Sequence, residues 1–141
     1  MNFLRKMFKL GKVTSEDLNG KTFGELITKA TDGELLVEGK PTYEIAHEKK
    51  HDLDVMLACC ESEIKKYRLT NQTPAPFYFE RAAILSRKNK NYAQEVAICE
   101  KYIQLMDEIF GKETLGVKAG PRFMAIEKRL PKAKELLAKN T

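Results

Sequence analysis

Two long stripes of apolar residues at helical spacing constrain the fold of this 141-residue chain more than any other feature. On a helix, residues that recur every three or four positions share one face. The first stripe comprises Leu53, Met56, Leu57, Cys60, Ile64 and Tyr67, and the second comprises Tyr92, Val96, Cys99, Ile103, Met106 and Phe110. Each stripe predicts one long helix with a buried face.

Turn-forming residues delimit these helices and two others. Pro74 and Pro76 prevent a helix from running through the loop after the first stripe, and the next helix is expected to end at the polar turn 87–91. Gly111 stands where the helix of the second stripe should end. A last helix begins at Gly120-Pro121, and Pro131 is expected to kink or restart it.

Short loops between successive helices favour antiparallel neighbours, so the sequence predicts an all-α fold. The expected architecture is a set of antiparallel helical hairpins or a small helical bundle. A weaker helical segment runs from Thr22 to Ala30, and residues 34–40 fit either an extended piece or a buried turn. We expect a single domain over residues 13–141, with its helical-hairpin core at 51–138.

Basic residues are concentrated at the two ends of the chain. The net charge is +5 overall, +4 within residues 1–12, +5 within 111–141 and −4 between these segments. Residues 1–12 form a basic amphipathic segment, because four apolar residues share one helix face while three basic residues lie elsewhere. The apolar residues are Phe3, Leu4, Met7 and Phe8, and the basic ones are Arg5, Lys6 and Lys9. This segment suits either an anionic membrane surface or docking on the core.

Nucleic-acid binding through the basic ends is not favoured. The basic C-terminal helix lacks interleaved exposed aromatic residues, and the sequence contains no recognisable nucleic-acid-binding motif. No apolar run reaches the length of a membrane span, and the N-terminus lacks the unbroken apolar stretch of a signal peptide. With three cysteines, of which Cys59 and Cys60 are neighbours, we expect a reduced cytoplasmic protein without cofactors. Cys60 and Cys99 fall on the apolar stripes, whereas Cys59 falls off them.

The only motif that suggests a chemistry is HEKKH, which runs from His47 to His51. H-E-x-x-H on one helix offers two imidazoles to zinc, with the glutamate, here Glu48, as the general base of a hydrolase. If the helix of the first stripe continued back through this motif, both histidines would project away from the buried face. Lys49 and Lys50 would oppose a bound cation, and no third histidine follows. We therefore expect no enzyme and no metal, with a zinc-dependent hydrolase as the minor alternative.

Residues 76–105 resemble a tetratricopeptide-type (TPR) helical hairpin. The resemblance rests on the small residues Ala82 and Ala83 in the first helix, Tyr92 after a short polar turn, and Ala97 and Tyr102 in the second helix. Glu95 departs from it, because the repeat prefers alanine there. The resemblance implies a right-handed array of helical hairpins, with close helix packing at the small residues. It also implies a scaffold that binds proteins or peptides without a chemistry of its own.

The first helix of this hairpin carries a ridge that is the predicted protein-binding site. It consists of Phe77, Arg81, Ile84 and Lys88. A mixed apolar and cationic ridge suits an acidic or amphipathic peptide, although it would equally pack against the preceding helix. The sequence thus favours a non-enzymatic interaction or scaffold module. The alternative is an anionic-membrane or nucleic-acid binder acting through the basic termini, and self-association stays open.

Overall fold

The computed structural model describes residues 23–141 and contains a helix for each of the two apolar stripes. The fold is all-α. Its helices are α1 (Phe23–Ala30), α2 (Thr42–Lys49), α3 (Leu53–Thr70), α4 (Pro76–Lys88), α5 (Tyr92–Phe110) and α6 (Pro121–Lys139). A short 3-10 helix, Gly116–Ala119, precedes α6. The region 34–40 is a turn closed by an isolated bridge between Val37 and Lys40, and no strand forms within the described range.

Local sequence signals set the ends of the two longest predicted helices. The Asp52 side chain caps α3 by accepting a hydrogen bond from the Val55 amide, and Asn91 caps α5 in the same way. At their C-terminal ends, Asn71 and Gly111 have φ of 62° and 66°, which stops the helical path. Helix α5 begins after the turn 87–91 and ends at Gly111, as predicted, and α3 ends before the loop that contains Pro74 and Pro76.

Helices α3 to α6 form two layers. Successive helices are antiparallel, so α3 and α5 run in one direction and α4 and α6 in the other. Backbone contacts between α4 and α6 are fewer than those between the sequence-adjacent helices of this set, and those between α3 and α5 are sparse. The helices of one layer, α4 and α6, therefore contact each other directly, whereas those of the other layer, α3 and α5, leave space between them.

The core is centred on α4 and on aromatic rings from three helices. Ala82 and Ala83 of α4 are fully buried, as the close packing of the predicted hairpin requires. The Phe79 and Tyr102 rings lie 4.5 Å apart, and Phe123 of α6 is 6.4 Å from Tyr102. These rings join α4, α5 and α6 into one apolar cluster.

The turn at residues 34–40 and helix α2 pack on α3. Ile45 and Ala46 of α2 and Val37 of the preceding turn belong to the core cluster. The buried hydroxyl of Ser62 on α3 donates a hydrogen bond to the Leu35 carbonyl. The loop before α2 is thus held to α3 by both apolar contact and a buried hydrogen bond.

Two details of the sequence prediction are corrected. First, α6 runs through Pro131 as one helix, so no restart occurs. Second, the fully buried face of α5 is formed by Glu95, Cys99, Tyr102 and Met106, a set that includes residues outside the predicted stripe. The sequence left open whether the helix of the first stripe continues back through HEKKH. It does not, because the chain turns at residues 50–52 and α2 and α3 are separate helices.

Several predictions concern residues outside the described range. The basic amphipathic segment 1–12 and the helix start at Thr22 lie there. Among residues 23–141, none of the helices combines the length and the apolar composition needed to cross a membrane.

Replacing Tyr102 by phenylalanine should destabilise the fold. The Tyr102 hydroxyl donates a buried 2.6 Å hydrogen bond to the carbonyl of Pro74, in the loop between α3 and α4. Because Tyr102→Phe leaves that carbonyl without its partner, we expect the free energy of unfolding, measured in urea, to fall by about 1–2 kcal/mol. The control is Tyr43→Phe, since Tyr43 is 68% exposed. Equal stability of the two variants would contradict this role of the hydroxyl.

Candidate functional site

The HEKKH motif does not lie on one helix face. His47 lies in the last turn of α2, whereas His51 lies in the turn before α3, and both are exposed. The Nδ1 atom of His51 is 3.1 Å from Nη2 of Arg81 on α4. His51 therefore contributes to the packing of the α2–α3 corner against α4. Of the two placements that the sequence left open, one long helix or a corner between helices, the structure has the corner.

The glutamate of the motif is engaged by a cation. Lys40 Nζ lies 2.7 and 2.8 Å from the two carboxylate oxygens of Glu48. These hydrogen bonds, followed by the charge of Lys40, lower the pKa of Glu48. Lys49 forms a separate ion pair with Glu38. Within residues 23–141, no group of three or more His, Cys, Asp or Glu side chains could hold a metal ion.

The predicted ridge lies along one side of α4, and its residues differ in their contacts. Arg122 of α6 lies over the half-buried Phe77 ring, with Cζ 5.1 Å from the ring centroid. Arg81 donates from Nε to the Lys50 carbonyl at 3.0 Å, in addition to its contact with His51. Ile84 is half-buried and Lys88 is exposed. The ridge is thus anchored at two points and open at its Lys88 end.

Helix α6 adds cations beside this ridge. Arg122 binds Glu80 at 3.0 Å, and Arg87 Nη2 lies 3.4 Å from the Arg129 carbonyl. Lys132 follows Arg129 by three residues and so lies one turn further along that side of α6. We refer to the whole surface as the α4–α6 face. It comprises Phe77, Arg81, Ile84 and Lys88 of α4 with Arg122, Arg129 and Lys132 of α6.

A buried carboxylate underlies the α4–α6 face. Glu95 of α5 is fully buried, and its Oε1 accepts from Arg87 Nε at 2.9 Å. Its Oε2 accepts from Arg129 Nε at 3.0 Å and lies 2.8 Å from Nη2 of the same residue. Both arginines are mostly buried, with 29% and 21% exposed. We refer to Glu95, Arg87 and Arg129 as the Glu95 triad. It joins α4, α5 and α6 and retains one net positive charge.

The opposite layer contains an apolar groove of about 480 Å³ between α3 and α5. Phe79 of α4 forms the floor of this groove. From α3 the groove is lined by Leu57, Cys60, Glu61 and Ile64, and from α5 by Gln94, Ala97, Ile98 and Lys101. We refer to it as the α3–α5 groove. Ala97 was expected at a close helix contact, but its side chain is exposed along this groove.

The two layers differ in charge. Helices α4 and α6 together contain nine basic and three acidic residues, a net charge of +6. Helices α3 and α5 contain four basic and seven acidic residues, a net charge of −3. The separation of charge along the sequence thus corresponds in part to a separation of charge between the two layers.

A second buried carboxylate lies on α3. Glu63 is 3% exposed, and its Oε1 is 3.5 Å from the Thr42 hydroxyl. Its Oε2 lies 2.8 Å from Lys66 Nζ, an ion pair without hydrogen-bond geometry. Because this cation compensates the carboxylate, Glu63 is best understood as a paired charge that orients α2 against α3.

The cysteines are buried thiols. Cys59, expected off the apolar stripe, is as fully buried as Cys99, because α2 and α4 cover two sides of α3. Burial, and secondarily the nearby Glu63 charge, raises the pKa of Cys59 to about 11, and burial raises that of Cys99 to about 11. Burial also raises the pKa of Cys60. None of the three has the depressed pKa of a nucleophile.

Sequence reasoning missed the Glu95 triad and the groove. One signal for the triad was present, since Glu95, Cys99, Tyr102 and Met106 recur at i, i+4, i+7 and i+11 and therefore share a face. The groove had no such signal, because it depends on the spacing of two helices that are not neighbours in sequence.

The native thiols should react slowly with Ellman's reagent at pH 8. A thiol with a pKa of about 11 is ionised in about one molecule in 1,000 at that pH, and burial also blocks the reagent. We expect less than about 10% of the thiols to react within minutes, and all three after denaturation in guanidinium chloride. A rapid native reaction of one thiol per chain would contradict this prediction.

The relation of this chain to known proteins gives no guide to its function. No protein-family model matches the sequence, and comparisons with curated proteins and with solved structures give no significant match. Evidence for what the chain does therefore comes from the chemistry of its own surfaces.

Proposed function

We propose that this chain is a non-enzymatic protein-interaction module built from TPR-like helical hairpins, and that its α4–α6 face binds an acidic segment of a partner protein. The hairpin part of the proposal is supported by the antiparallel pair α4 and α5, with Ala82 and Ala83 fully buried, and by α6, which packs on both helices. Glu95 and the exposed Ala97 are departures from the repeat pattern.

The charge difference between the two layers carries the functional part of the proposal. A net charge of +6 on α4 and α6 attracts an acidic chain and disfavours a basic one. Half-buried Phe77 and Ile84 lie among these cations and offer apolar contacts at the same surface. Such a surface suits a peptide in which carboxylates alternate with apolar side chains.

The Glu95 triad prepares this face for a carboxylate ligand. Two guanidinium groups share one carboxylate, so a second carboxylate can satisfy part of the remaining charge. Because Arg87 and Arg129 are already held in place, binding orders few additional side-chain rotamers. The entropic cost of binding is correspondingly small.

Charge reversal at two exposed lysines of this face should weaken acidic-peptide binding. The probe is a fluorescent 12-residue peptide of glutamate with leucine at every fourth position, measured by anisotropy at low salt. For Lys88→Glu combined with Lys132→Glu, we expect the affinity for the peptide to fall at least tenfold, since each reversed contact is worth about 1 kcal/mol. Binding to the unchanged chain should also weaken as salt increases.

The matched control is Lys65→Glu combined with Lys101→Glu. Lys65 and Lys101 are exposed on α3 and α5, and the change in net charge is the same. We expect less than a threefold effect on peptide affinity. Equal losses in the two double variants would show that net charge alone determines binding, and would refute a site on the α4–α6 face.

A further inference from the structure

We infer that the α3–α5 groove binds the chain's own residues 3–9 as a short amphipathic helix. This inference goes beyond the proposed function and concerns the opposite layer, so each can fail without the other. The groove is mainly apolar, with Leu57, Ile64 and Ile98 on its walls and Phe79 beneath them. A groove of this kind is the usual receptor for the apolar face of a helix.

The dimensions of the groove match a two-turn helix. Its α3 wall extends from Leu57 to Ile64 and its α5 wall from Gln94 to Lys101. Seven residues of helix rise about 10 Å. In residues 3–9, Phe3, Leu4, Met7 and Phe8 share one helix face that is about two turns long. Exposed Ala97 leaves room on the α5 wall for the larger of these side chains.

The charges of the segment and of the layer are opposite. Residues 1–12 carry a net charge of +4, and α3 with α5 a net charge of −3, which becomes −2 when Glu95, buried between Arg87 and Arg129, is left out. Exposed Glu61 lies on the α3 wall, and it also borders a depression that includes Glu34 and Glu38. Lys65 and Lys101 are nearby cations, and Glu38 is already paired with Lys49. Arg5, Lys6 and Lys9, which lie off the apolar face, can therefore meet carboxylates when that face enters the groove.

The connection to α1 is long enough for this placement. Thr28 of α1 lines a small cavity together with Ser62 and Lys66, so α1 lies beside α3. The connecting residues 10–22 can span up to about 43 Å when extended. The whole of α3 is about 27 Å long, so any part of the groove beside α3 is within reach.

Photo-crosslinking in the full chain tests this inference. A p-benzoylphenylalanine in place of Lys101, whose exposed side chain lines one end of the groove, reports on an occupant without filling the space beside Ala97. After irradiation, we expect peptides from residues 1–12 to be the main products in mass spectrometry. The same crosslinker in place of Lys88, on the α4–α6 face, should give at least fivefold less of these products.

Isotope mixing identifies the source of the crosslinked segment. Equal amounts of ¹⁴N and ¹⁵N chains should give products within one chain only. Mixed-isotope products would mean that a second copy supplies the occupant, and would overturn the inference. Absence of any product with residues 1–12 would also overturn it.

Substitutions within residues 1–12 test whether the apolar face is the part that docks. Leu4→Asp with Met7→Asp should lower the crosslink yield at least fivefold. The matched control, Asn2→Asp with Gly11→Asp, introduces the same charge outside the apolar quartet and should change the yield by less than twofold. Equal decreases in both variants would refute docking through that face. The free energy of unfolding of each variant, measured in urea, is compared with that of the unchanged chain, so that a loss of folding is distinguished from a loss of docking.

Discussion

The Glu95 carboxylate, held between Arg87 and Arg129, is the interaction on which the arrangement of α4, α5 and α6 depends. A fully buried carboxylate is costly unless it is both paired and hydrogen-bonded, and here both of its oxygens accept from guanidinium groups. A shift of any one of the three helices along its axis would break at least one of these contacts. The apolar contacts of Phe79, Tyr102 and Phe123 supply most of the burial, while the Glu95 triad selects the register in which they pack.

The same interaction links the core to the surface. Because Glu95 belongs to α5 but binds arginines of α4 and α6, negative charge is buried and positive charge remains at the surface of the other layer. The chain thus presents a cationic face on one side and an apolar groove beside carboxylates on the other. A module of this kind can bind an acidic partner on one face while the groove receives a basic amphipathic helix. The two proposals share a single physical basis, the segregation of charge between layers.

The sequence predicted the helices well, because apolar periodicity and caps such as Asn91 and Gly111 are local signals. It predicted the site less well, because surfaces depend on which helices meet. Glu95 looked like a departure from a repeat pattern, and its partner Arg129 lies 34 residues away. HEKKH resembled a single zinc-binding face, but Asp52 caps a new helix immediately after it, which separates the two histidines. Ala97 looked like a packing residue and is exposed, because α3 and α5 do not approach each other closely.

The free energy of unfolding of Glu95→Gln tests the central claim most directly. The substitution keeps the size of the side chain and removes its charge, which leaves two largely buried guanidinium groups without a counter-ion. The account predicts a loss of about 3 kcal/mol in urea unfolding, compared with less than about 0.5 kcal/mol for Glu100→Gln at an exposed position of the same helix. A Glu95→Gln variant as stable as the Glu100→Gln control would contradict the claim that this carboxylate determines how α4, α5 and α6 pack.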